Sequence, residues 1–91
     1  MKIAIEADID FIAKLKDGNE EVLNAVYKDN ERAFIQWAQY HFNVDYDQAK
    51  DVFQLSIIAL YHNAKIERLQ TLSSSLKTYL FSIGRRLLLK L

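Results

Sequence analysis

The sequence predicts an all-α fold, a compact three- to four-helix bundle. Three observations predict it. Apolar residues recur with a helical period, and no strand-type alternation is sustained. The chain has no proline and only two glycines, so little interrupts a helix. Two helix-start signals stand in register with the apolar pattern: Asn19, and Asp45 followed three residues later by Gln48. Ninety-one residues make one domain, which buries roughly 60–65% of its unfolded surface. A composition that is 51% hydrophobic and 26% charged excludes the disordered class.

Each element follows from local signals. A first helix is expected over 8–16, stopped by Asp17-Gly18. A second is expected over 20–41, with Asn19 as N-cap and an apolar seam of Leu23, Val26, Tyr27, Phe34, Trp37, Ala38 and Tyr40. A third, over 46–62, opens on the capping box of Asp45 and Gln48. The fourth spans 74–91, with Ser74 or Ser75 placed to cap its first N–H groups. The connection over about 63–75 is longer than most helix–helix links. It reads either as a functional loop or as a plain linker with a short extra helix.

Several function classes drop out. With no cysteine there is no disulfide, thiolate zinc site or cysteine nucleophile, which fits a reducing, cytoplasmic location. No run of about 18 apolar residues is present to span a membrane. Glu6, Asp8 and Asp10 interrupt the apolar stretch that a signal peptide needs. His41 and His62 are the only histidines, and they lack metal-ligand spacing. Asp45, Asp47 and Asp51 belong to a helix start, where acids favour the dipole, and no glycine-bearing calcium loop accompanies them. No catalytic residue, metal or cofactor is therefore expected, and the chain does not read as an enzyme.

The charge is zero overall but unevenly spread. Residues 1–64 hold six basic and eleven acidic side chains, a net −5. Residues 65–91 hold six basic side chains (Lys65, Arg68, Lys77, Arg85, Arg86 and Lys90) against Glu67, a net +5. The C-terminal third is thus suited to a polyanion, unless the imbalance is the ordinary lopsidedness of a small helical protein.

Two helices carry a second face. On 46–62, Ala49, Phe53, Ser56, Ile57 and Leu60 share a core stripe. Asp47, Asp51, Gln54, Leu55 and Ile58 cluster about 180° away. Apolar anchors ringed by acids and an amide suit a docking surface for a basic partner. The alternative is that Leu55 and Ile58 pack on another helix of the same domain. On 74–91, Leu76, Tyr79, Leu80, Ile83 and Leu87 form the expected core stripe. Thr78, Ser82, Arg85 and Arg86 lie opposite, flanked by Phe81. Hydroxyls and guanidiniums suit phosphate oxygens, and aromatics suit unpaired bases. The loop before it adds Lys65, Arg68, Thr71 and Ser73 to Ser75. A charged, solvated outer face is the competing reading.

Two stretches, "DQAKDVFQLSIIALYHN" (47–63) and "SLKTYLFSIGRRLLL" (75–89), together resemble conserved region 2 of bacterial RNA polymerase sigma factors, closest to the extracytoplasmic-function type. The upstream "LKDGNEEVLNAVYKDNERAFIQWA" (15–38) is also similar, so the resemblance covers nearly the whole chain. It implies a bundle of sigma region 2 type and a role in transcription initiation. It implies that Asp51 and Gln54, with Asp47, Leu55 and Ile58 beside them, dock on the clamp helices of the polymerase largest subunit. It also implies that the loop captures a flipped base of the minus-ten element, and that Lys77, Thr78, Tyr79, Ser82, Arg85 and Arg86, with Lys65 and Arg68, lie near the non-template strand of promoter DNA. Tyr79 is close enough to the core stripe for packing to be its main job. Many members of that family have asparagine at the Arg86 position. Arginine cannot accept a hydrogen bond, so a base-edge contact there becomes a phosphate or stacking contact.

The same resemblance implies that the domain reading the minus-thirty-five element is absent, and that "RRLLLKL" is a cut end with Leu88, Leu89 and Leu91 uncovered. It allows an anti-sigma factor as a further partner. The rival from another class is a helical protein-interaction module with no nucleic-acid role, dimerising through the exposed leucines.

Overall fold

The computed structural model describes residues 13–14, 17–65 and 76–91. Among the described residues the chain is all-helical: α1 (Glu20–Phe42), α2 (Tyr46–Lys65) and α3 (Leu76–Leu88). No helix among them is long and apolar enough to cross a membrane. Apart from residues 13–14, which are helical, the helix expected over 8–16 lies outside the described residues. So do the serines expected to cap α3.

Local chemistry sets the helix ends. The N–H of Asn19 donates to the Lys14 carbonyl at 3.1 Å across Gly18, whose φ of 79° is left-handed. That is a glycine-based helix stop, and a side chain there would strain the backbone. Asn19 then caps α1 by accepting from the Val22 N–H at 3.2 Å. α1 ends at Asn43, also left-handed with φ 53°. Two residues later the capping box closes: Gln48 N–H donates to Asp45 Oδ1 at 2.7 Å, and Asp45 N–H donates to Gln48 Oε1 at 3.1 Å. Residues 43–45 are the whole connection, and Tyr27 pairs with Phe53 while Glu31 pairs with Lys50, so α1 and α2 run antiparallel. α2 runs three residues past His62, so 63–65 are helix rather than loop.

α2 is the middle helix, packed along both α1 and α3. Its core residues Ala49, Phe53, Ser56, Ile57 and Leu60 are all buried, and Val52 joins them. Phe34 on α1 is fully buried, with ring centroids 5.2 Å from Phe53, 5.2 Å from Phe81 and 5.4 Å from Trp37. Each such pair contributes about 0.5–1.5 kcal/mol beyond its burial. Ser56 is buried without penalty because its hydroxyl donates to the Val52 carbonyl at 2.7 Å.

The helices cross at Gly84. A Cβ there would meet the Phe34 ring well inside 3.0 Å and the Ser56 Oγ at 3.2 Å. One hydrogen atom therefore lets α3 lie against both α1 and α2. Three expectations need correction. Tyr40 does not belong to the α1 seam: it is 84% exposed, because it lies about 200° round the helix from buried Ala38. Ile35, about 60° round the helix from Ala38, is buried instead. Leu88 is not uncovered, since it continues the row Leu76, Leu80, Gly84 that forms the true core face of α3. Tyr79, Ile83 and Leu87 are only half-buried at its edge.

Gly84→Ala should lower stability by about 1–3 kcal/mol through overpacking, although alanine favours a helix by about 1 kcal/mol over glycine. Urea denaturation followed by circular dichroism measures the difference. An unchanged midpoint would mean that the crossing yields. Asp45→Ala should cost about 0.5–2 kcal/mol by the same measurement.

Candidate functional site

Two outward rows flank the crossing. The first lies on α2. Val52, Phe53, Ser56 and Ile57 face the core, so the residues between and beside them must face outward. Asp47, Asp51, Gln54, Leu55 and Ile58 are all exposed, with Leu55 at 53% and Ile58 at 62%. Two large aliphatic side chains in water, next to two carboxylates and an amide, cost solvation unless something covers them. Gln54 Nε2 lies 3.4 Å from the Tyr27 hydroxyl, a long contact that leaves the amide able to bond elsewhere. One turn before Gln54, on the edge of α2 that faces α1, Lys50 reaches Glu31 at 3.9 Å and lies 5.9 Å from the Tyr46 ring centroid. These partly exposed charges join α1 to α2 and add little stability.

The second row lies on α3. Lys77, Thr78, Arg85 and Arg86 are exposed, whereas Ser82 is half-buried. Tyr79 is half-buried too, and its hydroxyl accepts from Asn63 Nδ2 at 2.9 Å. That bond ties α3 to the end of α2 and gives the phenol a structural task. The Lys77 ammonium lies 5.6 Å from the Phe81 ring centroid. Phe81 itself is packed against Phe34 and Trp37 rather than standing free. Of the loop residues, the Lys65 side chain and all of Arg68 lie outside the described residues.

Arg85 and Arg86 are adjacent in sequence but diverge by about 100° around α3. Arg85 continues the row of Lys77 and Phe81 on the α1 side, four residues apart each time. Arg86 lines a groove of about 330 Å³ between α2 and α3, with Leu55, Ala59, Asn63, Ile83, Leu87 and Lys90. The groove joins the acidic-apolar row of α2 to the basic row of α3. Ala59 had no place in the sequence reading, and Lys90 entered it only as part of the basic C-terminal third. Its place beside Arg86 could have been found, since Lys90 stands four residues after Arg86. A second groove of about 340 Å³, lined by Glu31, Arg32, Ile35, Gln36, Gln39 and Tyr46, lies between α1 and the start of α2.

Comparison with protein-family models, with curated proteins and with solved structures finds no match for this chain.

The exposure of the α2 row has a direct consequence. Ile58→Glu should change stability by less than about 0.5 kcal/mol, as surface substitutions do. Phe53→Ala, one turn away on the buried side, should cost about 3–5 kcal/mol. Thermal or urea unfolding separates the two, and a large loss for Ile58→Glu would show that Ile58 is packed.

Proposed function

We propose that this domain acts in transcription initiation in the manner of sigma factor region 2, docking on RNA polymerase clamp helices through α2 and binding the melted minus-ten strand of promoter DNA through α3. The observation that carries the reading is the outer row of α2: Leu55 and Ile58 stand in solvent between Asp47, Asp51 and Gln54 on the back of a core-forming helix. Such a row supplies buried apolar area on contact, while its carboxylates select a basic partner and repel an acidic one. Helical spacing alone marks the same row, and the sequence resemblance to sigma region 2 falls on it, which adds support of a second kind.

The mechanism is binding, with no covalent step. α2 tethers the domain to polymerase. Lys77, Thr78, Ser82, Arg85 and Arg86 on α3 then hold the non-template strand through phosphates and stacked bases. Because that surface binds an open strand better than a duplex, it shifts the opening equilibrium toward the melted state. The domain has no net charge, so its affinity for DNA away from polymerase is low and strongly salt-dependent. Arg86 contributes a phosphate or stacking contact rather than a two-way bond to a base edge. An anti-sigma factor that covers either row would hold such a domain inactive.

Two measurements test the reading. Wild type should bind a purified clamp-helix coiled coil, and Asp51→Arg and Ile58→Glu should each weaken that binding at least tenfold while the circular dichroism spectrum is unchanged. No binding by wild type at high micromolar concentration would sink the polymerase partner and favour a protein-interaction module. Arg85→Ala should reduce the slope of log affinity for single-stranded DNA against log salt by about 0.7. An unchanged slope would remove Arg85 from the strand's path.

A further inference from the structure

The geometry points to a second part of the single-strand surface, running from α3 onto α1: a track of rings formed by Phe81, Trp37, His41 and Tyr40 that stacks unpaired nucleobases. The inference rests on the proposed binding of a melted strand and extends it to residues outside the basic row.

The rings form an unbroken series. Phe81 on α3 lies 4.9 Å from Trp37 on α1, Trp37 lies 6.3 Å from His41, and His41 lies 4.9 Å from Tyr40. Exposure rises along it. Phe81 and Trp37 are half-buried against the core, His41 is exposed, and Tyr40 at 84% is the most exposed large hydrophobic among the described residues. The buried end fixes the track, and the exposed end offers a ring with no packing role in the fold. Planar side chains held this way are suited to stacking, and each stacked base adds binding whatever its identity.

Charge selects the ligand. Proline-rich peptides also bind aromatic grooves. Here, however, Lys77 and Arg85 flank Phe81 along one row of α3. The α1 positions leading up to Trp37 along the same side are Asn30 and Ala33, neither of them acidic. The cations stand at the Phe81 end of the track, and the carboxylate on the Tyr40 side of α1, Asp29, is three turns away, so the Phe81 end matches a chain that alternates phosphates with bases. The acids of α1 and α2 named above lie instead at the Glu31–Lys50 contact and on the outer row of α2.

Trp37 is the chain's only tryptophan, so its emission reports on the track directly. The full chain is titrated at low salt with a labelled short oligothymidylate, reading anisotropy and Trp37 emission together. The variants are Tyr40→Ala and Lys77→Glu, both at exposed positions, and Arg86→Glu, which tests the outer face of α3 separately. The expected result is quenching of Trp37 on binding, with Tyr40→Ala and Lys77→Glu weakening affinity about tenfold. Binding that is weakened by Arg86→Glu, leaves Trp37 emission unchanged and is indifferent to Tyr40→Ala would overturn the track and leave the proposed function standing. Failure of the oligonucleotide to bind at all would overturn the track, and the clamp-helix experiment would then judge the polymerase partner independently. Stronger Trp37 quenching by a proline-rich peptide than by the oligonucleotide would also overturn it.

Discussion

The arrangement of this domain depends on one contact, the approach of Gly84 to the ring of Phe34 and the hydroxyl of Ser56. A side chain at that point would push α3 away from both other helices. The contact works because each partner is already fixed. Phe34 is held by Phe53, Trp37 and Phe81, and the Ser56 hydroxyl is bound to its own helix. A close-packed interior of this kind has no slack to absorb an added methyl group. The crossing therefore fixes the rotation of α2 and α3 about their axes. That rotation decides which residues are left for water: Leu55 and Ile58 on one helix, Arg85 and Arg86 on the other.

The two outward rows belong to one packed unit. α2 and α3 are pinned together near one end by the Asn63–Tyr79 bond and at the middle by Gly84 and Ser56. Leu55 and Arg86 share a groove, so the acidic-apolar row and the basic row meet along an edge. In the function we propose, polymerase docking and strand capture are then linked by geometry. A partner seated on α2 places α3 at a fixed distance and angle, and no conformational relay is needed. The divergence of the two arginines fits that division. Arg86 stands at the border with α2, and Arg85 stands with Lys77 and Phe81 toward α1.

Much of this was legible in the sequence where local chemistry acts alone. The Asn19 cap and the Asp45–Gln48 box could be read because a capping side chain bonds its own neighbours. The core face of α2 could be read because Ala49, Phe53, Ser56, Ile57 and Leu60 recur at helical spacing, and the outer face because Leu55 and Ile58 stand out among Asp47, Asp51 and Gln54. α3 was harder. Its core row passes through Gly84, which carries no hydropathy signal, so the expected stripe was rotated toward Tyr79, Ile83 and Leu87, and Leu88 was left outside. Tyr40 misled for a related reason: an aromatic near a seam was counted into it, although the helical angle from Ala38 puts it on the far side. The groove between α2 and α3 was not legible at all, since it depends on how the two helices meet rather than on either alone.

The central claim is that one rigid domain offers two separate surfaces to two different partners. The most direct measurement is nuclear magnetic resonance mapping of the labelled domain, titrated first with a clamp-helix coiled coil and then with single-stranded DNA. Our account predicts that the coiled coil shifts the amides around Asp47, Asp51, Leu55 and Ile58, that the DNA shifts those around Lys77, Ser82 and Arg85, and that the second ligand binds without displacing the first. Shifts confined to one surface for both ligands, or displacement of one by the other, would contradict it.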